Sequence, residues 1–599
     1  MNSPLWRCAK SVVSFLLLTL PCICFGQGLN GKANVSPDLA AMVVANYANP
    51  NAIFNVIMQF AVPPDTHELA LISANATGRG PETVDLSVIQ AQYLSLPAQA
   101  LTNLAKDPNV VYISPDRPVA PSLDISNVTT GAQTALSYGW NGSGIGIAIV
   151  DSGILLPQTD LLNTGTKNAS RVVYSQSFIP RLTGTSDQYG HGTHVAGILA
   201  GNGTNSTGSA YFRTFRGIAP NANLINLRVL DGNGAGTDSA VISAIGAAIK
   251  LKSTYNIRVI NLSLGRPVYE SYLLDPLCQA VEKAWNAGIV VVVAAGNQGR
   301  NNSMSTSGYA TISAPGNDPV VITVGAMKNM GTTTRLDDLI ASYSSKGPTL
   351  IDHVVKPDIV APGNKTVSLL ASKALVVSNS TSSNLVPYNY YQNTNNTSPS
   401  ANYYRLSGTS MAAPMVSGAA AVMLGRDSTL SPDTVKARLM MTATKSFPLF
   451  STATDPVTGI MYTSQYDIFT IGAGYLDVWG ALNSTVSVPT GSTAASPSAV
   501  FNSATNTVSL NNSNLTSGTA AVWGSAGGVF GVAAVWGSSV FVDGTAAVWG
   551  SDTNLWGTGA VWGSGGITGN AAVWGSAAVW GSTTNDGSEA LSLLINGEN

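Results

Sequence analysis

The sequence IGIAIVDSG, residues 145 to 153, determines the predicted fold of the longest segment of this 599-residue chain. Its first six residues are apolar throughout and do not alternate with polar residues. Such runs are typical of strands that are covered on both faces, and strands of this kind form parallel sheets. Runs of the same type recur downstream as LINLRVL (224 to 230), VINLSL (259 to 264), IVVVVAA (289 to 295) and VVITVG (320 to 325).

Helical patterns separate these apolar runs. Asp238 to Lys252 and Leu277 to Ala287 have the length and periodicity of crossover helices. Strands that alternate with helices predict an α/β fold with a doubly wound, mostly parallel sheet, which we assign to residues 123 to 488. In such folds, we expect catalytic side chains in loops at the carboxyl ends of the strands.

Three short motifs place reactive residue types at such positions. VDSGI puts Asp151 directly after a predicted strand, and GHGTHVAG puts His191 where a helix should begin. SGTSMAAPMVSG puts Ser410 at the start of a helix of small residues, where an unpaired backbone N–H faces any developing anion. Each motif alone is weak, but together they supply an acid, a base and a nucleophile.

The three motifs, in the order Asp, His, Ser, resemble those of subtilisin-like serine proteases, the subtilases, and differ in order from chymotrypsins and α/β-hydrolases. The resemblance covers nearly all of residues 125 to 485. It implies a serine endopeptidase of broad specificity that acts on proteins or peptides and needs no cofactor for its chemistry. Asp151, His191 and Ser410 would form the catalytic triad. AAGNQG, residues 294 to 299, would supply Asn297 as an oxyanion-hole donor.

The resemblance also predicts how substrate binds. An extended peptide would pair with exposed backbone of NLSLG (261 to 265) on one side and GNGAG (232 to 236) on the other. Residues 294 to 296 would line the pocket for the residue before the scissile bond. The candidate substrate-binding residues are Gly234, Ala235, Gly236, Leu262, Ser263, Leu264, Gly265, Ala294, Ala295 and Gly296.

The first 26 residues resemble a secretion signal. Arg7 and Lys10 precede an apolar stretch from residue 11 to 25, which Pro21 interrupts. A retained membrane anchor is the weaker interpretation, because a spanning helix needs about 20 apolar residues. Cleavage after Gly26 would give a secreted, extracellular protein whose only cysteine is Cys278, so no internal disulfide could form.

Residues 34 to 118 form a smaller predicted unit. Its strands are FNVIMQF (54 to 60), VIQAQYLSL (88 to 96) and VVYIS (110 to 114), with a helix over 97 to 106. This order resembles the α+β, ferredoxin-like inhibitory prodomain of subtilisins, which would make the enzyme a zymogen with its own prodomain as a partner. A permanent accessory domain is the alternative.

Residues 489 to 599 form a tail of different composition. The pentapeptide AVWGS occurs six times between residues 521 and 582, and seven of the eleven tryptophans lie in the tail. Three interpretations stay open: a stacked, β-prone repeat, a sugar- or cell-surface-binding segment, and a low-complexity extension. The tail also raises a rival to the enzyme, namely a catalytically silent surface or adhesion protein.

Composition excludes some partners and leaves two local questions open. A net charge of −2 with only 10% charged residues gives no basic field for nucleic acid or anionic lipid.

The Asn-, Ser- and Tyr-rich insertion from 364 to 404 either shapes the cleft or is a mobile excursion. Asp160 occupies a position where relatives carry a calcium ligand, but the loop after the His191 helix does not match the ligand pattern, so structural calcium stays undecided.

Overall fold

The computed structural model describes residues 52–66, 90–115, 125–163, 169–303, 306–379, 384–455, 459–502 and 507–511, with shorter pieces at 34–35, 39, 43, 72, 78–79, 594–595 and 598. The predicted signal segment and the AVWGS repeats lie outside the described residues. The chain divides into two compact units, Met1–Val119 and Ala120–Asn599.

The N-terminal unit contains a five-stranded sheet in the order β1-β5-β2-β4-β3, where β2 is antiparallel to both of its neighbours. Alternate side chains of β2 are buried, from Phe54 to Phe60, as expected for a sheet with one covered face. The predicted strands and helix are present with small shifts at their ends. The elements are β1 (Asn34–Val35), β2 (Ile53–Phe60), β3 (Gly78–Arg79), β4 (Ala91–Pro97), α1 (Ala98–Leu104) and β5 (Val110–Pro115).

The second unit is built around an eight-stranded sheet in the order β12-β11-β10-β9-β6-β8-β7, with β13 paired to β11. All of its pairs are parallel except β11 with β12. Every predicted apolar run is one of its strands. They are β6 (Gly146–Asp151), β7 (Val172–Ser177), β8 (Asn223–Arg228), β9 (Ile257–Leu262), β10 (Val290–Ala294), β11 (Ile322–Lys328), β12 (Leu339–Ile340) and β13 (Ile359–Pro362).

The strand order creates a crevice beside β6. The chain runs from β6 to β7 and β8 on one side, and later adds β9, β10 and β11 on the other. At this reversal the loops after β6 and β9 diverge, so the carboxyl ends of these two strands border an open site. The six residues of β6 are all buried, because helices cover the sheet.

Eight of the described helices of the second unit surround this sheet or cap its ends. The long helix that carries Ser410 is buried along almost its whole length and is rich in Ala and Gly, which allows it to lie close to β9, β10 and β11. The helices are α2 (Ile125–Thr129), α3 (Ala132–Ser137), α4 (His191–Ala200), α5 (Asp238–Tyr255), α6 (Pro276–Asn286), α8 (Thr409–Arg426), α9 (Pro432–Thr442) and α11 (Val478–Asn483); two single-turn helices, α7 (Leu375–Ser378) and α10 (Ile468–Ile471), complete the set.

In the described part of the insertion, residues 364–379 and 384–404, the chain forms a small sheet. It has the antiparallel order β14-β16-β15, from β14 (Thr366–Leu369), β15 (Leu385–Pro387) and β16 (Pro399–Leu406). Its tyrosines pack on Phe215: the Tyr403 ring lies edge-on with a centroid distance of 4.7 Å, and Tyr391 contacts Tyr403 at 5.3 Å. This aromatic packing adds to buried aliphatic side chains of the insertion, such as Val376 and Val386.

Packing on the second unit continues past the predicted domain boundary at 488. The backbone N–H of Val355 donates to the carbonyl of Pro497, and Ser496 Oγ reaches the buried carboxylate of Asp358. The remaining strands are two hairpins, β17 (Phe450–Thr454) with β18 (Met461–Gln465) and β19 (Ser498–Asn502) with β20 (Thr507–Asn511). In the described part of the chain, no helix is both long and apolar enough to cross a membrane.

Candidate active site

Asp151 is the last residue of β6 and is only 1% exposed. Its Oδ1 accepts a hydrogen bond of 2.7 Å from the backbone N–H of Ser152. Helix α4 approaches this strand end closely because residue 192 is a glycine. A Cβ at Gly192 would lie 2.3 Å from the carbonyl oxygen of Gly153, so any other residue would push the helix away from Asp151.

His191 is the first residue of α4 and faces Asp151. Its Nδ1 lies 2.8 Å from Asp151 Oδ1 and 3.0 Å from Oδ2, and both residues are buried. Burial lowers the pKa of His191, but the carboxylates of Asp151 and Asp187 outweigh it, so the pKa is raised above its ordinary value near 6.5. With Nδ1 committed to Asp151, Nε2 is the nitrogen that can exchange a proton with a ligand.

Asp187 is a functional residue that the sequence reasoning missed. Its carboxylate accepts hydrogen bonds from the backbone N–H groups of Gly190 and Thr193 and from Ser152 Oγ, at 2.7 to 2.9 Å. It therefore caps the N-terminus of α4 and links that helix to the residue after Asp151. An acidic residue just before a predicted helix was the available signal.

The second histidine of the GHGTHVAG motif has a different environment. His194 Nε2 lies 3.1 Å from the carbonyl oxygen of Thr366 and 3.2 Å from that of Tyr404, both in the inserted sheet. Burial, with a smaller contribution from His191, lowers the pKa of His194 to about 3. His194 is thus a neutral hydrogen-bond donor that ties α4 to the insertion, and it carries no charge at neutral pH.

Ser410 is the second residue of α8, after Gly408, whose φ of 147° few other residues adopt. Its hydroxyl donates to the carbonyl of Ser263 at 3.1 Å, and its own carbonyl accepts from Ser263 Oγ at 2.8 Å. The hydroxyl therefore points to β9 in this state and not to His191. Catalytic hydrogen bonds are often unformed without substrate. A rotation about the Cα–Cβ bond of Ser410 would turn the hydroxyl away from Ser263.

Asn297 follows β10 and faces the same site. Its Oδ1 accepts from the backbone N–H and the hydroxyl of Thr409 at 2.9 and 3.1 Å. These bonds fix the amide plane and leave the NH₂ group for a ligand. The preceding Gly296 has a φ of 106°, and a Cβ there would lie 2.5 Å from Ser313 Oγ, so the turn that presents Asn297 needs glycine.

His191, Asn297 and Ser410 line one open cavity of about 260 Å³. Five of the ten candidate substrate-binding residues line it too, namely Gly234, Gly236, Ser263, Leu264 and Gly265. Apolar side chains form much of the remaining wall, and Arg266 and Asp238 pair at its rim with 2.8 Å between Nη2 and Oδ2. The cavity therefore offers backbone from two segments next to a mainly apolar recess.

The other five candidates lie behind the described lining. Leu262 and Ala295 are fully buried, Ala294 is the last residue of β10, and the carbonyls of Ala295 and Gly296 accept from the N–H groups of Ser313 and Ser345. The fifth, Ala235, accepts from the N–H of Asp231 through its carbonyl and donates its own N–H to the Asp231 carboxylate, within the loop's own turn. These residues shape the walls through the backbone and do not themselves border the cavity.

The inserted sheet supports the turn before His191. The backbone N–H groups of Leu375 and Val376 donate to the carbonyls of Gln188 and Tyr189, each at 3.0 Å. Gly190 lies so close to this segment that a Cβ would fall 2.5 Å from a Val376 methyl carbon. The insertion therefore fixes the entry to α4, and with it the position of the imidazole.

A calcium ion does not fit the environment of Asp160. The Asp160 carboxylate already accepts from Tyr403 Oη at 2.6 Å and from the N–H of Asn205 at 2.7 Å. The guanidinium of Arg171 donates to the carbonyls of Asp160 and Ala200, the kind of oxygen that calcium would need. Among the described residues, no cluster of three or more His, Cys, Asp or Glu side chains could hold a metal. The buried guanidinium of Arg171 thus takes the place that a metal ion would have here.

The remaining predicted feature, Cys278, is a core residue of α6. Its side chain is buried, and burial raises the pKa of its thiol far above the ordinary value. The thiol is therefore not reactive, as expected for a small apolar core residue.

Comparison with known proteins agrees with this geometry. The profile of the Subtilase family matches residues 142–460. The serine protease AprX of Bacillus subtilis is 35% identical over 56% of this chain and 69% of its own length. Subtilisin DY of Bacillus licheniformis is 36% identical over 52% of this chain and 88% of its own. A thermostable alkaline protease of Halalkalibacterium halodurans is 30% identical over 68% and 92%. The chain belongs to the subtilase family and is a subtilisin-like serine endopeptidase.

Proposed function

We propose that this endopeptidase uses Ser410 as nucleophile, His191 as general base and acid, and Asp151 to orient His191. The observation that carries the proposal is the paired contact of His191 Nδ1 with Asp151 beside a cavity that Ser410 and Asn297 also line. A neutral serine hydroxyl is a poor nucleophile, so it needs a base whose other nitrogen is held in place.

The acylation step follows from these positions. Ser410 Oγ attacks the carbonyl carbon of the scissile bond, and its proton passes to His191 Nε2. The tetrahedral intermediate then expels the amine, which takes that proton from His191 and leaves an acyl-enzyme on Ser410. Water attacks the ester in the same manner, and its proton passes through His191 back to Ser410 Oγ. Asp151 stays ionised and stabilises the imidazolium in both steps.

The oxyanion of each tetrahedral intermediate needs donors that are already in place. Asn297 Nδ2 and the backbone N–H of Ser410 are the proposed pair. The first is available because Thr409 holds the amide oxygen, and the second because the first N–H groups of a helix have no partner within it. Removing one such donor typically lowers kcat by about 10² to 10³-fold.

Substrate is proposed to bind as an extended peptide between residues 232–236 and 261–265. Gly234, Gly236 and Gly265 expose backbone there and leave room for a second chain. Leu230, Val241 and Leu277 give the recess an apolar wall, which favours an apolar side chain before the scissile bond. Broad specificity follows, because most of the recognition is through the main chain.

Substitution of Ser410 tests the assignment. The variant Ser410→Ala should lose casein hydrolysis by about 10⁴-fold or more, because no other hydroxyl can form the acyl-enzyme. The thermal unfolding midpoint should stay close to that of the parent, since the hydroxyl makes only one hydrogen bond in the resting state.

Ser417→Ala is the matched control. Ser417 is a serine of the same helix whose hydroxyl bonds to Asn261 at 2.8 Å, away from the cavity. It should retain activity despite some loss of stability. Equal casein hydrolysis by Ser410→Ala and the parent would overturn the assignment of Ser410. No casein hydrolysis by either protein would instead favour a silent surface protein.

We propose further that the protein is secreted, that residues 1–26 are its signal, and that residues 34–118 are an inhibitory prodomain. Support comes from the apolar start of the chain and from the separate compact unit that ends at Val119. The mass of the secreted product should then correspond to a chain that begins near residue 120. A product that retains residues 34–118 would instead indicate a permanent accessory domain.

A further inference from the structure

A short segment beyond the AVWGS repeats lies inside the catalytic unit. Leu594, Ile595 and Glu598 are 6%, 7% and 1% exposed. They follow the last AVWGS repeat, which ends at Ser582, by about a dozen residues. We call the described residues 594, 595 and 598 the returning segment. Its burial is unexpected, because a Gly-, Ser- and Trp-rich tail gives no sequence signal for docking on the domain that precedes it.

Glu598 occupies a site built from four donors. Its Oε1 lies 2.8 Å from Lys328 Nζ, and its Oε2 accepts from the N–H and the hydroxyl of Ser342, both at 2.8 Å, and from Arg300 Nη2 at 3.3 Å. The Lys328 side chain is 5% exposed. A buried ammonium beside a buried carboxylate is stable only when both are hydrogen-bonded, so this site is specific for an acidic side chain.

The backbone of the returning segment is bound as well. Asn364 forms a two-way pair with Glu598: its Oδ1 accepts from the N–H at 2.8 Å and its Nδ2 donates to the carbonyl at 2.7 Å. Asn384 Nδ2 donates to the carbonyl of Ile595. Both asparagines flank the inserted sheet, so the insertion supplies half of the receptor.

The other end of the segment reaches the active site. The carbonyl of Leu594 accepts from the backbone N–H of Ser407 at 3.0 Å, and Leu594 lines the same cavity as His191, Asn297 and Ser410. Ser407 lies three residues before Ser410. While it bonds to Leu594, this backbone N–H is not available to a bound peptide.

We propose that the returning segment is a tethered ligand of the active-site cleft that competes with the part of a substrate after the scissile bond. The proposal rests on the function proposed above, in which residues 232–236 and 261–265 hold the part before that bond. Among the described residues, the hydrogen bond of Leu594 is to Ser407 and not to either of these two segments. In this proposal Leu594 obstructs the part of the cleft after the scissile bond and leaves the acyl side open.

The tether makes this competition effective. A connection within the same chain gives a bound segment an effective concentration of up to about 1 mM, so modest intrinsic affinity is enough to keep it docked. Glu598 supplies the anchor, and Leu594 supplies the obstruction. Substrate proteins must displace Leu594, whereas short substrates that end just after the scissile bond need not.

The test compares two substrates on the secreted enzyme. One is a peptide p-nitroanilide with residues only before the bond, and the other is a fluorogenic peptide with the same residues plus three after the bond. Deleting residues 591–599 should raise kcat/KM for the longer substrate by about tenfold, mainly through KM, and change that for the p-nitroanilide by less than about twofold. Leu594→Ala should act in the same direction.

The synthetic peptide LSLLINGEN, residues 591–599, should restore inhibition when it is added to the deletion variant at up to about 1 mM. It should compete with the longer substrate only. Glu598→Gln should weaken inhibition in the full chain, because a buried ammonium loses its charge partner. Glu589→Gln is the matched control: it removes the same charge from the same tail and should have no effect.

Three outcomes would overturn the proposal: equal changes for both substrates, no inhibition by the peptide, or equal effects of Glu598→Gln and Glu589→Gln. If the deletion variant does not fold, the full-length variants Leu594→Ala and Glu598→Gln provide the test. The quantity compared is again the ratio of kcat/KM for the longer substrate to kcat/KM for the p-nitroanilide. Anisotropy of labelled LSLLINGEN on the deletion variant with Ser410→Ala measures docking without catalysis. If the labelled peptide binds but the parent enzyme hydrolyses neither substrate, the proposed function is wrong. The binding site for the returning segment would then still stand.

Discussion

Two of the buried charged clusters in the described part of the catalytic unit differ in one respect. At the cavity, one carboxylate, Asp151, holds one imidazole, and the second nitrogen of His191 is left for a ligand. Directly before β13, the Asp358 carboxylate lies 2.7 Å from Lys356 Nζ and 3.2 Å from Lys436 Nζ, and all three side chains are fully buried.

The second cluster has no group left over. Lys436 Nζ also donates to the carbonyls of Pro319 and Val321 at 2.8 and 3.0 Å, and Asp358 accepts from the N–H of Thr323 at 2.8 Å. Burial lowers the pKa of Lys436 to about 7 even with the carboxylate beside it. Buried charge thus performs chemistry where one atom remains unsatisfied beside a cavity, and stabilises the fold where every atom is paired.

The comparison predicts that a substitution in the first cluster lowers the rate of peptide hydrolysis and leaves the unfolding free energy nearly unchanged. Asp151→Asn should lower kcat for peptide hydrolysis by about 10⁴-fold, because the amide favours the wrong imidazole tautomer and cannot stabilise the imidazolium. The unfolding free energy should change little, since Asn has nearly the same shape. Steady-state kinetics and urea unfolding measure the two effects.

The pH profile of the same variant is an internal check. The base form of His191 is needed, so parent activity should fall as pH drops through a pKa above 6.5, which the carboxylates have raised. In Asp151→Asn that acid limb should move to lower pH, because the largest charge that favours the imidazolium is gone. An unmoved limb would mean that another group controls it.

Damage to the second cluster should have the opposite pattern. Asp358→Ala removes the carboxylate from two buried ammonium groups and should cost about 3–5 kcal/mol of unfolding free energy. The rate per folded molecule should stay unchanged, because none of the three residues lines the cavity among the described residues. Urea unfolding and active-site titration together separate the two quantities.

Lys436→Met is the matched control within this cluster. It keeps the volume and leaves Lys356 and Asp358 as a neutral pair, so we expect a smaller loss of about 1–2 kcal/mol from the carbonyls that lose a donor. A larger loss than in Asp358→Ala would contradict the view that the carboxylate holds the cluster together.

The smallest effect on stability is expected beside a third buried carboxylate, that of Asp160. Burial raises the pKa of Asp160, and Tyr403 Oη donates to its carboxylate at 2.6 Å, so Tyr403→Phe should cost about 1–3 kcal/mol, the loss of one donor to a buried acceptor. Thermal unfolding with and without EDTA measures it. The midpoints of parent and variant should not respond to EDTA at this site. A chelator-sensitive midpoint that Tyr403→Phe abolishes would show that a metal binds here after all.

The sequence predicts well whatever is encoded in contiguous residues. The apolar runs identify β6 and β8 to β11 because a strand buried on both faces needs such a run, and the motifs around Asp151, His191 and Ser410 identify the site because local turns present them. The capping role of Asp187 lay within reach of the same reasoning, since it depends on residues only a few positions away.

Contacts between distant residues escaped prediction for a physical reason. Glu598 and Lys328 are 270 positions apart, and Ser496 joins the Asp358 cluster from 138 positions away. Neither pairing leaves a periodic pattern in the chain. The inserted sheet was equally hidden, because its buried tyrosines and aliphatic residues are scattered among Asn and Ser and form no continuous apolar run.

The returning segment also changes the consequence of a cut in the tail. Residues 494–499 and residues 594, 595 and 598 are both hydrogen-bonded to the catalytic unit, so the chain on each side of the repeats is attached to the same body. A single nick among the repeats would therefore release no fragment under native conditions. Two bands on a denaturing gel and one species on a sizing column would be the signature of such a nicked, still assembled protease.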